Sequence, residues 1–162
     1  MNRSRARDIL GILVSVFVCE LAGLVGSVFT TPAIPTWYAS LKKPFFTPPS
    51  WVFAPVWVTL YALMGISLYV VWKKDIGRHD VRRAVGLFGI QLALNVLWSV
   101  VFFGMQSPLY GLVIIVLLWI ALLATTVLFY RISKTAGILL VPYFLCGSFA
   151  SVLNFSILVL NP

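Results

Sequence analysis

Apolar residues in this chain fall into five long blocks, at about 9–29, 51–72, 84–104, 108–130 and 136–160, separated by short polar or charged interruptions. Each block reaches the roughly 20 residues an α-helix needs to cross the hydrocarbon core of a bilayer. The fourth, from Leu109 to Tyr130, carries no charge at all. A membrane β-strand would be about half as long and would alternate polar with apolar positions; these blocks do neither. Backbone groups in hydrocarbon must be satisfied within their own segment, which leaves helices as the spanning structure. The pattern predicts an all-α integral membrane bundle of five transmembrane helices, forming a single domain over residues 1–162.

Composition agrees with that reading. Of 162 residues, 61% are hydrophobic and 10% charged, against about a quarter charged in a soluble domain. The formal net charge of +8 does not indicate nucleic acid, because the basic residues form short clusters between apolar blocks rather than a face or stripe. Their positions set the orientation instead. Arg3, Arg5 and Arg7 precede the first block; Lys73, Lys74, Arg78, Arg82 and Arg83 separate the second from the third; Arg131 and Lys134 lie at the fourth connection. Five crossings place these three groups on one side, leaving Lys42 and Lys43 on the other. The excess of Lys and Arg on the cytoplasmic side of membrane proteins then predicts a multi-pass protein of the cell membrane, with the N-terminus cytoplasmic and the C-terminus and first loop outside. The first block exceeds the 7–15 or so apolar residues of a signal peptide and is read as a retained helix. Cys19 and Cys146 sit inside apolar blocks, as small buried side chains rather than a disulfide framework.

The first connection, from Thr30 to Ser50, stands apart. Its five prolines, Pro32, Pro35, Pro44, Pro48 and Pro49, argue against a regular helix and stiffen the backbone. It also holds Trp37, Tyr38, Phe45 and Phe46, with Trp51 just beyond, where a mere linker would be polar. Two readings follow: a rigid lid over the outer end of the bundle, built on Trp37, Phe45, Phe46, Pro49 and Trp51, or an interfacial loop whose aromatics sit at headgroup level.

Polar groups inside the blocks are few and costly, so they mark either a pathway or contacts between helices. The first block holds Glu20. The third holds Gln91, Asn95 and Ser99, four apart and hence on one face. The fifth holds Ser148, Ser151 and Asn154, three apart. At about 1.5 Å rise per residue, Glu20 and Asn95 lie about 14 Å from the outer ends of their blocks, and Asn154 and Trp57 about 9 Å. These groups would gather beneath the first connection, either as a covered pocket or as hydrogen-bonding glue between helices.

The residues of ordinary catalysis are scarce. There are four acidic residues and one histidine, His79. No His, Cys and carboxylate set has metal-ligand spacing, no Gly-rich phosphate loop appears, and no nucleophile, base and acid set lies within the blocks. Aromatic surface is plentiful, with 6 Trp, 6 Tyr and 12 Phe, and a pocket lined that way suits a large, flat, apolar ligand. Trp72 and Tyr130 fit an inner interfacial belt; Trp57 and Trp119 lie deeper than such a belt.

The run WYASLKKPFFTPPSWVFAPVW, from Trp37 to Trp57, resembles the tryptophan-rich sensory protein family, whose mitochondrial members are the translocator protein or peripheral benzodiazepine receptor. LNVLWSVVFFG (Leu94 to Gly104), Trp119, VPYFL (Val141 to Leu145) and LNF (Leu153 to Phe155) extend the resemblance across most of the chain. It implies a five-helix bundle that binds porphyrin, haem or other flat apolar small molecules in one pocket beneath the first loop, with no cofactor required. By motif position, Tyr38 and Pro48 would come from the lid, Trp57 and Tyr61 from the second helix, Asn95, Trp98 and Ser99 from the third, and Cys146 and Ala150 from the fifth. Asn154 joins them from its depth. Some bacterial relatives degrade protoporphyrin in light, a reaction attributed to two pocket tryptophans. Trp57 matches the first, but Cys146 holds the place of the second. The expected function is therefore a membrane receptor or carrier in tetrapyrrole sensing or transport. The alternatives are a light-dependent porphyrin-degrading enzyme and a structural or regulatory partner without a ligand. Lys42 and Lys43 are placed to meet porphyrin propionates. Gly89 and Ala93, a small-xxx-small pair on the third helix, offer a homodimer contact, beside the lipid bilayer as the general partner.

Overall fold

The computed structural model describes residues 3–162, with side chains from Arg5 onward; the side chain of Arg3, one of the basic residues that set the expected orientation, lies outside them. Five helices are long and apolar enough to cross a membrane. They are α1 (Arg3–Ala33), α2 (Phe53–Trp72), α3 (His79–Ser99), α4 (Pro108–Ile132) and α5 (Lys134–Leu160). A wider π turn, Ile34–Tyr38, continues α1; another, Val100–Gly104, continues α3; and a single 3-10 turn, Ser50–Val52, leads into α2. No strand occurs among the described residues.

The helices form a closed ring in the order α1–α2–α5–α4–α3, with α3 returning to α1. Short turns at the two ends of the bundle fix this neighbourhood: α4 and α5 are separated by Ser133 alone, and α3 and α4 by the turn at residues 105–107. Ser107 caps α4 by accepting from the Tyr110 amide at 3.4 Å, with Pro108 in the first turn, where its missing N–H costs nothing. At the end of the bundle that carries the N-terminus Tyr69 donates to Asp8, whose other oxygen accepts from Lys73 at 3.3 Å, tying α1 to α2.

The axial contact between α1 and α2 is closest at Gly65. A Cβ there would sit 2.4 Å from the Val16 Cα, so only a glycine allows the backbones to meet at this level. The packed core below the cavity described next joins Met64, Val81, Phe88, Leu122, Phe129 and Tyr143; Phe88 and Phe129 stack at 5.6 Å. Gly89 and Ala93 lie on the exposed face of α3, and nothing stands within 4 Å of a Cβ built on Gly89.

The first connection needs correction. It was expected to be irregular from Thr30 to Ser50, but helix persists through Pro32 to Ala33 and π turn to Tyr38, so the irregular stretch is short, at about 41–49. A proline removes only its own amide bond and crowds one preceding carbonyl. Widening the next turn accommodates Pro35, and the Thr36 hydroxyl donates back to the Pro32 carbonyl at 2.8 Å, adding a side-chain bond at that turn. The third block likewise begins earlier than expected, at His79 instead of residue 84, because Asp80 and the arginines that follow wind into its first turns.

Candidate ligand-binding site

A cavity of about 570 Å³ occupies the half of the bundle next to the first connecting segment, bordered by α1, α2, α3, α5 and the two π turns. All ten residues singled out in the sequence as ligand-binding border it: Tyr38, Pro48, Trp57, Tyr61, Asn95, Trp98, Ser99, Cys146, Ala150 and Asn154. Helical spacing explains the convergence. Asn95 and Ser99 are four apart on α3, as are Trp57 and Tyr61 on α2 and Cys146 and Ala150 on α5, so each helix turns one stripe inward.

The floor is a polar bridge across three helices. Tyr61 of α2 donates to Asn95 Oδ1 at 2.5 Å, and Asn95 Nδ2 donates to the Tyr143 hydroxyl of α5 at 2.7 Å. Trp57 lies over this bridge, 5.9 Å from the Tyr61 ring and 6.4 Å from that of Tyr143. Gly23 of α1 makes room for Tyr61, whose ring would stand 2.5 Å from a Cβ at that position.

The wall on the α4 side is a second bridge. Trp98 Nε1 donates to Asn154 Oδ1 at 3.1 Å, and Asn154 Nδ2 donates to the Pro108 carbonyl at 2.8 Å. Trp98 stacks on Phe102 at 5.3 Å, and the π turn brings Phe102 and Phe103 together to the cavity. The two readings of the deep amides therefore merge: Asn95 and Asn154 border the cavity, and both spend their hydrogen bonds on neighbouring helices. Ser148 accepts from the Trp119 indole at 2.8 Å and Ser151 donates to its own helix at Gly147; both are contacts within the bundle. Gln91 lies one turn below Asn95, fully buried, with neither amide atom partnered.

The five residues expected in the lid separate into two groups. Trp37 packs edge-on to Phe102 at 5.4 Å, and Phe46 packs edge-on to Phe149 of α5 at 6.0 Å. Pro49 is exposed at the end of the segment, Phe45 is 100% exposed and Trp51 is 75% exposed; none of the five, Trp37 and Phe46 included, borders the cavity. Within the connection from Thr30 to Ser50 the cavity is bordered by Thr30, Thr31, Ile34, Tyr38, Pro48 and Ser50. Lys43 turns back onto its own chain, donating to the Ala39 and Leu41 carbonyls at 3.2 and 3.0 Å and lying 5.0 Å from the Tyr38 ring.

Two contributors escaped the sequence reading. Asn161 accepts from the Lys42 amide and donates to the Lys42 carbonyl, each at 2.9 Å, fastening the segment to the end of α5. Beyond Glu20, the α1 face was also missed, although it has a signal: Gly23 and Ser27 within the first block and Thr30 and Thr31 just after it are small and polar residues at helical spacing, and all border the cavity with Glu20. On this side Leu24, Ser27 and Thr31 of α1 face Ala54, Val56 and Val58 of α2, and all six are exposed, so the wall between α1 and α2 is the open one.

Comparison with known proteins matches residues 15–160 to the TspO/MBR family. The chain belongs to the TspO/MBR family. It is 49% identical to the tryptophan-rich protein TspO of Chlorobaculum tepidum over 96% of this chain and 99% of that protein. It is 42% identical to the human translocator protein, covering 85% of this chain and 82% of that one. It is 36% identical to the tryptophan-rich sensory protein of Cereibacter sphaeroides, covering 77% of each. This TspO/MBR chain is accordingly a multi-pass membrane protein of five helices.

Proposed function

We propose that this protein is a membrane receptor or carrier that binds porphyrins or related flat apolar molecules in the cavity beneath its first connecting segment, in sensing or moving tetrapyrroles. The observation that carries the proposal is the cavity itself. Its volume of about 570 Å³ falls within the 300–1,000 Å³ or so typical of small-molecule sites. Trp57, Tyr61, Trp98 and Phe102 supply flat faces around it, which favour stacked or edge-on contact with an extended ring system. The names of its relatives, a sensory protein and a translocator protein, are in keeping with signalling or moving a ligand. The charge pattern supports the cell membrane as the location, with the N-terminus cytoplasmic and the cavity in the outer half.

The test is a titration of the purified protein in detergent with protoporphyrin, read by quenching of tryptophan fluorescence. Quenching should saturate, and Trp57→Ala should raise the half-saturation point about tenfold through loss of one aromatic wall. Quenching that never saturates, or a half-saturation point unmoved in Trp57→Ala, contradicts this site.

A further inference from the structure

Several polar groups around the cavity are partnered, whereas the buried Tyr38 hydroxyl, in the turn that continues α1, and Glu20, deeper in α1, are not. Asn95 is held by Tyr61 and Tyr143, and Asn154 by Trp98 and the Pro108 carbonyl. Thr30 donates to the Gly26 carbonyl and Ser27 to the Leu24 carbonyl. Glu20, near the middle of α1, borders the same cavity and has no hydrogen-bond or ion-pair partner among the described residues. The two ion pairs seen there, Lys73–Asp8 and Arg78–Asp80, both lie at the end of the bundle that carries the N-terminus. Of the four acidic residues, Asp8, Glu20, Asp75 and Asp80, Glu20 is alone in the middle of a span.

An ionisable group at membrane depth is expensive and is usually paired within the protein. No cationic residue borders this cavity. Glu20 shares a face of α1 with Gly23 and Ser27, and all three border the cavity. We infer that Glu20 is the specificity-determining residue of the cavity, selecting flat apolar ligands that carry a protonated amine or ring nitrogen at their deep edge. The inference rests on the cavity being a ligand site, as proposed above. It adds the charge of the preferred occupant: a cation at the floor of the cavity is paired in a medium of low dielectric, where an uncharged ligand of the same shape gains only contact and burial. An anionic edge is disfavoured at that end.

The experiment compares two planar three-ring probes of similar size, aminoacridinium, which is cationic at neutral pH, and anthracene, which is neutral. Each is titrated into the full-length protein in detergent, with empty micelles subtracted, and into Glu20→Gln and Glu20→Asp. Elution as a single species and an unchanged tryptophan emission maximum establish that the variants are folded. Aminoacridinium should bind at least tenfold more tightly than anthracene to the parent, the ratio should fall to near unity in Glu20→Gln, and Glu20→Asp should retain part of it. Saturable binding of both probes with the same ratio in the parent and in Glu20→Gln overturns the assignment of Glu20 while leaving the cavity as a ligand site. No saturable binding of either probe to the folded parent overturns both.

Discussion

Asn95 donates from Nδ2 to the Tyr143 hydroxyl at 2.7 Å, and this contact makes the deepest amide of the cavity a brace between α3 and α5. With Tyr61 donating to its other end, one side chain holds three helices at the cavity floor. Replacing Asn95 by Leu keeps the volume but removes the partner of two buried hydroxyls, each costing about 1–3 kcal/mol when left unsatisfied. Asn95→Leu should therefore lower the thermal unfolding midpoint in detergent by several degrees. Ser99→Ala, which removes a hydroxyl on the same face, should change it little.

Glycines of this chain divide by what surrounds them. At Gly65 a Cβ would meet the Val16 Cα at 2.4 Å and the Val16 nitrogen at 2.7 Å, both backbone atoms that cannot turn aside. Gly65→Ala should separate α1 from α2 and destabilise the protein by about 1–3 kcal/mol, as overpacking commonly does. Gly86 and Gly89 have nothing within 4 Å of a built Cβ. Gly86→Ala and Gly89→Ala should be neutral or stabilising by up to about 1 kcal/mol, from helix propensity. Parallel melting curves of the three variants check both halves of this prediction.

Asn161 holds the short segment at residues 41–49 by two hydrogen bonds to Lys42. Asn161→Ala should leave the five helices intact and free that segment at its α5 end. Hydrogen exchange should then accelerate at the Lys42 amide and its neighbours while the amides of α2 and α5 keep their protection. Unchanged exchange at Lys42 would show that Phe46 on Phe149, and the packing of Trp37 on Phe102, hold the segment without Asn161.

The five-helix architecture was legible because hydrocarbon admits so few backbone structures: five apolar blocks of spanning length leave little choice. Nine of the ten cavity residues were legible through the motifs that carry the family resemblance, and Asn154 through its depth. Asn95, Asn154 and Trp57 are conspicuous in apolar blocks, and their depth could be counted from the block ends. What they do there was not legible, because whether Asn95 reaches a ligand or Tyr143 depends on the distance between α3 and α5, which no single-helix pattern carries. The course of the chain past Pro32 was misjudged for a related reason. The proline rule describes one residue, whereas the helix continues by a change of turn width, with an added bond from the Thr36 hydroxyl. Phe45 and Trp51 have the same composition as Trp37 and Phe46, and only the fold separates the pair that packs from the pair that is exposed.

Cys146 gives the most direct measure of cavity occupancy. It borders the cavity and is partly exposed, whereas Cys19, the other cysteine, is fully buried in the core beside Tyr61. Alkylation by a small apolar maleimide, followed by mass spectrometry of the intact protein and its peptides, should modify Cys146 and spare Cys19. Saturating protoporphyrin should slow modification of Cys146 at least tenfold. If Cys146 reacts at the same rate with and without protoporphyrin while tryptophan quenching saturates, the ligand binds elsewhere and the cavity is not the binding site.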